Sequence, residues 1–569
     1  MKMNESRELK KQLFLNSKGW LAVAIFTMVI LSTYNIVISW LLQKIIDIAA
    51  GNDKTPLRAI LVVSVVSFMI FMVAYIIYRT ARPRYIQKSM TQYKAYIFGK
   101  LLDKRISSMS KENSGKIISA LTNDMRPIED YYLDSILLMI DIGVGFLGAL
   151  ALMLYYSPIL TLVSLLLSVL PIVMSVPSAK KLSEKEKSLS DKNENYVEII
   201  KDILSGFVVI KSFRCEKEIE KRFMQDNEKI EDAKYERRYA EENVNVLSTA
   251  ASVIMRLGVF IIGAWMAVTG TGITPGIVLV FLQLVNFVIY PIERVPKILA
   301  NRKAALSIME KLTDTISKEN EVPDDTRCCT MKKQISVHDM TFGYDEGKAI
   351  LQGVNVQFES GKKYAIVGGS GSGKTTLLNL MMGTYDNYKG SIKYDGVELN
   401  EISSDALFQV VSLVQQNIFV FNDTIYNNVT LYKPFSEKEV RTAMEQAGLL
   451  EFVNSRGLDY VCGENGNALS GGEKQRISIA RALLRKTSVL FMDEATAALD
   501  ERTANEIMNA ILSIDDLTAI VVTHRLDEYV LKQYDEIIVL HHGKVAEHGI
   551  FEKLLEEKGF FHSLYKISK

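Results

Sequence analysis

Gly368-Gly369-Ser370-Gly371-Ser372-Gly373-Lys374-Thr375 fits the spacing GxxxxGK[ST]. The apolar run Tyr364-Ala365-Ile366-Val367 precedes it and reads as a strand; residues 376–382 follow and read as a helix. That order of strand, glycine loop and helix is the context the spacing requires. Glycines let backbone N–H groups curl around phosphate oxygens at a helix N-terminus. Lys374 adds a positive charge at the β- and γ-phosphates, and the Thr375 hydroxyl reaches Mg²⁺. From average residue usage, a chance match somewhere in the chain is roughly 2%. The residues from Gly368 to Thr376 are therefore candidate nucleotide contacts.

Two more strands end in polar residues that such a site needs. Val489-Leu490-Phe491-Met492 leads into Asp493-Glu494, and Ala519-Ile520-Val521-Val522 leads into Thr523-His524. If the sheet is parallel, its strand C-termini gather at one edge, where ligands bind in open α/β sheets. Lys374, Asp493, Glu494 and His524 then share one crevice. Asp493 can join the Mg²⁺ shell, Glu494 can orient and polarise the attacking water, and His524 can sense the γ-phosphate. Alone, each is more often a surface charge at a strand end.

The N-terminal half is of another kind. The chain has 569 residues, 48% hydrophobic and 23% charged, with a mean hydropathy of +0.10. That is too polar for a protein buried in a membrane throughout, yet leaves room for one strongly apolar region. Apolar runs long enough to cross a bilayer, about 20 residues each, occupy 20–46, 59–78, 136–156, 159–176, 246–269 and 277–292. Six spanning helices are expected, followed by an α/β P-loop domain. Arg7, Lys10, Lys11 and Lys18, then Arg79, Arg82, Arg84 and Lys88, then Lys180, Lys181, Lys185 and Lys187 fall on one side. Both termini are thus expected in the cytosol. Trp20, Trp40 and Trp265 sit near predicted helix ends, as interfacial anchors do. The two connections on the cytosolic side, 79–135 and 178–245, are far longer than ordinary loops. Tyr196, Ile199, Ile200, Ile203, Leu204 and Phe207 recur at helical spacing, so the spanning helices are expected to continue outward. The reading divides the chain into a transmembrane domain (1–310), a charged linker with Pro323 and Asp324-Asp325 (311–333), and a nucleotide-binding domain (334–569).

Composition excludes other classes. Lysine plus arginine number 67 and aspartate plus glutamate 66, a net charge of +1. The positive field of a nucleic-acid-binding surface is missing, and no such partner is expected. Four cysteines, two of them adjacent at Cys328 and Cys329, give neither a disulfide framework nor a zinc spacing.

Leu469-Ser470-Gly471-Gly472-Glu473-Lys474-Gln475-Arg476 resembles the signature of ATP-binding cassette (ABC) transporters. With six spans before it, the whole chain is similar to an ABC half-transporter of the type IV exporter fold. The resemblance implies ATP and Mg²⁺ as cofactors. Tyr344 resembles the aromatic that stacks on adenine, and Gln416 the Q-loop glutamine beside Mg²⁺, with Gln415 as an alternative. Asp500 resembles the D-loop aspartate, residues 463–466 the X-loop, and 115–124 and 206–213 the two coupling regions. Glu494, His524 and Gln416 are then catalytic, and Thr375, Gln416 and Asp493 surround the metal. Ser470, Gly471 and Gly472 would contact the nucleotide held by Lys374 of a second chain. The intact Glu494 fits a homodimer, and a heterodimer with another half-transporter stays open. The chain departs from the family at Glu473, where glutamine is usual, at Gln415, often proline, and at Ala497, usually serine. Glu473 adds a negative charge close to a polyphosphate.

The resemblance implies an ATPase coupled to transport in the cell membrane. Export of a hydrophobic or amphipathic substrate (drug, lipid or small peptide) is the favoured expectation. An importer on the same fold, for metal chelates for instance, and a regulatory ATPase that does not pump are the alternatives. Gln283, Asn286, Tyr290 and Glu293 fall within an arc of about 80° on the sixth span, and are expected to line the cavity. Asp141 and Arg256 lie about 22 and 21 Å below the outer ends of spans three and five. Charges at one depth inside a membrane favour pairing, so these two are expected to pair, within or between subunits, and to bear on substrate charge.

Overall fold

Apolar segments in lipid have no water to bond their backbones, so they fold as helices. The computed structural model describes residues 2–110, 114–317, 331–344 and 349–568. They form two compact units, residues 1–102 with 115–317 and residues 103–114 with 318–569. In chain order the first helices are α1 (Lys2–Gln12), α2 (Lys18–Ala49), α3 (Leu57–Leu102), α4 (Ile106–Ser110), α5 (Ser114–Leu121) and α6 (Met125–Pro127). A π-helical turn, Ile128–Leu133, leads into α7 (Asp134–Tyr156), α8 (Pro158–Leu167), α9 (Val169–Ser205), α10 (Phe207–Phe213), α11 (Glu216–Val268) and α12 (Pro275–Ser317).

Among the described residues five helical stretches are long and apolar enough to cross a membrane, and 158–171 is a shorter apolar one. The fourth expected span is thus interrupted. Ser157 caps α8, its hydroxyl accepting from the Leu160 N–H at 3.2 Å, with Pro158 in the first turn. The helix then breaks at Ser168 and resumes as α9. Pro171 lacks the N–H that would return to the Leu167 carbonyl, which accounts for the break.

The helices continue beyond their apolar runs. α3 reaches Leu102, and α9 and α11 lie along each other past the membrane segments. Lys185 pairs with Glu236 at 2.6 Å, Arg237 with Glu186 at 2.7 Å, and Tyr196 meets Phe223 at 5.9 Å between ring centres. Their hairpin turns through α10, which ends at Arg214 in the left-handed conformation (φ 53°). The expectation for 311–333 needs correction at its start, because α12 runs on through 311–317. Met309, Leu312 and Ile316 are buried at helical spacing, and that apolar stripe outweighs the charges around it. Residues 318–330 of the expected linker, with Pro323, Asp324 and Asp325, lie outside the described residues, and 331–333 lead into the strand that starts at Gln334.

A second apolar cluster joins Phe281, Leu284, Val285 and Val288 of α12 to Met153 of α7 and to Met255 and Val259 of α11. At the end of α2, Asp47 is 2% exposed and accepts from the Thr274 hydroxyl (2.7 Å), the Gly276 N–H (3.1 Å) and the Gln43 amide. Gln43 accepts in turn from the Tyr156 hydroxyl at 2.9 Å. Three helices are tied there, and a Cβ at Gly276 would stand 2.6 Å from an Asp47 carboxylate oxygen. Asp47→Ala strands a buried N–H and a hydroxyl, so we expect a loss of about 1–3 kcal/mol in thermal unfolding of the purified chain. Asp47→Asn keeps one acceptor oxygen and should lose less.

In the second unit, a four-stranded antiparallel sheet has the order β2-β1-β4-β5, from β1 (Gln334–Phe342), β2 (Leu351–Glu359), β4 (Lys389–Tyr394) and β5 (Val397–Glu398). A six-stranded sheet has the order β10-β9-β3-β8-β7-β6. Its strands are β3 (Lys363–Gly368), β6 (Val411–Val414), β7 (Val489–Asp493), β8 (Thr518–Val522), β9 (Glu536–His541) and β10 (Lys544–Gly549). All pairs are parallel except the β10 edge. Every residue of β3, β7 and β8 is buried, as parallel strands covered on both faces require. β8 lies between β3 and β7, so the three C-terminal ends meet at one edge.

Candidate nucleotide site

β3 ends at Gly368 and helix α13 (Lys374–Met381) begins six residues later. The loop between them needs glycine where it meets other backbone. Gly368 has φ 154° and a Cβ there would lie 2.2 Å from the Leu540 carbonyl oxygen. Gly373, at φ 99°, would press a Cβ to 2.6 Å from Leu351. Lys374 is 5% exposed, its ammonium donating to the carbonyls of Gly368 (3.1 Å) and Gly369 (3.0 Å). Burial holds its pKa below that of free lysine, against the opposing pull of Glu494 and Asp493. Among the described residues the buried Ser372 hydroxyl has no partner. An orphaned donor beside a caged ammonium is what a phosphate-binding loop presents before its ligand arrives.

Asp493, at the end of β7, accepts from the Thr375 hydroxyl at 3.0 Å. Burial raises its pKa above the usual carboxylate range, partly offset by that bond. A hydroxyl and a carboxylate this close, both hard oxygen donors, fit Mg²⁺ sharing its shell with phosphate and water. Among the described residues no group of three or more His, Cys, Asp or Glu could hold a metal by itself. Glu494 follows in the left-handed region (φ 49°), its N–H donating to the Val522 carbonyl at 3.0 Å. Its carboxylate is bridged: Gln416 donates to one oxygen at 2.7 Å, and His524 Nε2 lies 2.8 Å from the other. Gln416, not Gln415, is the residue that reaches the site. The strand-end residues expected to converge are therefore together.

Tyr344 is half-exposed, its hydroxyl 3.0 Å from that of Thr376. Edge contacts at 5.3 Å to Phe342 and 5.5 Å to Tyr385 set its ring. Ser470 and Gly471 stand exposed at the N-terminus of the helix Gly471–Leu484, with Gly472 in its first turn. Ser470 caps the helix, accepting from the Glu473 N–H at 3.3 Å, and the Glu473 carboxylate accepts from the Ser470 N–H at 2.7 Å. The family departure at Glu473 is thus spent in a capping box at the positive end of a helix. Asp500 caps the helix Glu501–Leu512 through the Thr503 N–H at 2.9 Å.

The connecting roles of two residues escaped the sequence reading. Gln475 accepts from the Ala498 N–H at 3.0 Å, and Arg525 donates to the Leu499 carbonyl at 2.6 Å. Together they tie the helix Gly471–Leu484 and the His524 turn to the segment before Asp500. Gln475 lies inside the quoted signature and Arg525 adjoins His524, which is the only signal the sequence carries for either role.

In the membrane unit, Gln283, Asn286 and Glu293 are exposed and Tyr290 half-buried, on the α12 face opposite Leu284, Val285 and Val288. Ser248 donates to Glu293 at 3.4 Å, and the Arg294 guanidinium lies 5.4 Å over the Tyr290 ring. The Asp141–Arg256 pair does not form within the chain. Asp141 accepts from the Ser32 hydroxyl at 2.5 Å, and Arg256 is exposed without an ion pair among the described residues. Matching depth left azimuth open: α7 packs on α2 and α12, while α11 packs on α8, α9 and α12.

Residues 351–497 match the ABC transporter family and residues 21–292 the ABC transporter transmembrane region. This chain is an ABC transporter. An ATP-dependent lipid A-core flippase of Desulfotalea psychrophila is 28% identical, over 99% of this transporter and 100% of that protein. An uncharacterized ABC transporter ATP-binding protein of Bacillus subtilis is 26% identical, over 96% and 92%. A bacterial Atm1-family ABC exporter with ATP bound shares the fold, with a TM-score of 0.82, 21% identity and coverage of 97% and 98%. With one membrane region and one ABC domain, the transporter is a half-transporter of the exporter fold that couples ATP hydrolysis to transport.

Proposed function

We propose that this transporter exports a hydrophobic or amphipathic substrate (a drug, lipid or small peptide) across the cell membrane by alternating access of a homodimer. In this reading its termini and ATPase domain face the cytosol. The observation that carries it is the polar face Gln283, Asn286 and Glu293, exposed on a membrane helix whose other face is buried and apolar. Polar groups in a membrane avoid lipid, so such a face calls for a watery cavity. Relatives named lipid A-core flippases support a lipid among the candidate substrates.

Lys374 and the backbone N–H groups of the glycine loop hold the phosphates, and Tyr344 offers its ring to the adenine. Glu494 accepts the proton of the attacking water, oriented by Gln416 and His524. Mg²⁺, held through Thr375, Asp493 and Gln416, would neutralise charge on the β- and γ-phosphates. Exposed Ser470 and Gly471, with Gly472 behind them, are available to a nucleotide on a second copy, so ATP joins two chains and hydrolysis releases them. Each state binds substrate differently, so substrate shifts the balance between them, and ATP hydrolysis supplies the free energy of the cycle.

Cysteines at Gln283, Asn286 and Glu293 are expected to react with a water-soluble thiol reagent, at rates that change when ATP is trapped. The same vesicles should show ATP-dependent movement of the substrate that stimulates ATPase activity, away from the nucleotide side. Uniform protection of the cysteines, or movement toward the nucleotide side, would overturn the reading.

A further inference from the structure

An apolar groove of 640 Å³ runs between α2 and α3, within the size range of a single-ligand site. Val23, Phe26 and Ile30 line it from α2, and Met69, Val73 and Ile77 from α3. At the end nearest the start of α2 the groove meets polar chemistry. Gly19 leaves open space there, and the Arg84 guanidinium lies 5.0 Å over the Trp20 ring. At 100° per residue, Arg84 and Lys88 leave α3 within about 20° of Ile77, and Arg84 lies roughly 10 Å farther along the axis.

The neighbouring arginine shows what is unusual about these two. Arg82 is held by Asp134 through two bonds of 2.8 and 2.6 Å, so its charge is satisfied inside the protein. Arg84 and Lys88 are exposed, and among the described residues neither has a carboxylate partner. A flat lipid-facing helix surface also meets acyl chains, but it offers neither a concavity nor cations at its end. Tryptophan and arginine at the edge of an apolar run mark the headgroup layer.

We propose that this groove binds an anionic glycerophospholipid, with an acyl chain between α2 and α3 and the phosphate against Arg84 and Lys88. The proposal rests on the membrane placement of these helices and not on the substrate or direction of transport. Two basic side chains at a membrane surface favour an anionic over a zwitterionic headgroup by roughly tenfold or more.

Trp40→Phe with Trp265→Phe leaves Trp20 as the single tryptophan of the chain. That variant is reconstituted in phosphatidylcholine vesicles doped with chain-brominated phosphatidylglycerol or chain-brominated phosphatidylcholine. Trp20 fluorescence should be quenched at a roughly tenfold lower fraction of the phosphatidylglycerol. Adding Arg84→Gln and Lys88→Gln should merge the two curves, and Ala22→Phe, which fills the groove, should weaken quenching by both lipids. Basal ATP hydrolysis reports that each variant is folded. Coincident curves in the parent, or a preference that survives loss of both cations, would overturn the proposal. So would absence of quenching by either lipid, which would put a second copy of the chain over the groove.

Discussion

Glu494→Gln is expected to lower ATP turnover by about 10²- to 10⁴-fold, the usual contribution of a positioned general base, while ATP binding stays near the parent value. The carboxylate sits between Gln416 at 2.7 Å and His524 at 2.8 Å, so its place is set from both sides. An amide of the same shape keeps one acceptor oxygen but cannot take a proton from water. Its NH₂ would also face a donor, which loosens one of the two bonds. Phosphate release and ATP titration of the purified variant separate the effects. Turnover near the parent rate would remove Glu494 from the role of base.

The nucleotide site was legible because its residues announce themselves locally. Asp493, Glu494 and His524 each follow a run of buried apolar residues that had to be a central strand, and strand order then brought them to one edge. Gln416 follows the short β6, and its identity came from resemblance to a family, not from pattern. Gln475 and Arg525 act through backbone groups of a distant turn, a relation that no local period encodes.

In the membrane half, hydropathy located the spans but not their interruptions or their partners. Pro171 was visible, yet a proline near a helix start is tolerated, so the break at Ser168 could not be read from it alone. Depth along two helices is computable from residue number, whereas the direction in which Asp141 points depends on how α7 packs. The structure turns it to Ser32. The reach of α12 past 310 was obscured by charge: 311–317 carry Lys311 and Asp314, and only the spacing of Met309, Leu312 and Ile316 betrays the buried stripe.

Lys374→Met is expected to weaken ATP binding by about 10- to 150-fold, since hydrogen bonds to a charged group contribute roughly 1.5–3 kcal/mol and each 1.4 kcal/mol is tenfold. The ammonium donates to the Gly368 and Gly369 carbonyls at 3.1 and 3.0 Å. Phosphate oxygens arriving in the loop are stronger acceptors than these carbonyls, and the ammonium, already desolvated, gains more from them than an exposed lysine would. Methionine keeps an unbranched stem out to Cε, lacks only the terminal ammonium, and leaves Gly373 and the loop backbone intact, so the loss reports the charge and not the cradle. Lys374→Arg should fail to restore binding, because a planar guanidinium does not fit a slot built for a side chain that is 5% exposed. The two site variants therefore differ in kind: Glu494→Gln parts binding from turnover, whereas Lys374→Met loses both together. ATP titration by calorimetry decides the matter, and a methionine variant that binds within about twofold of the parent would mean the loop backbone holds the phosphates without the lysine.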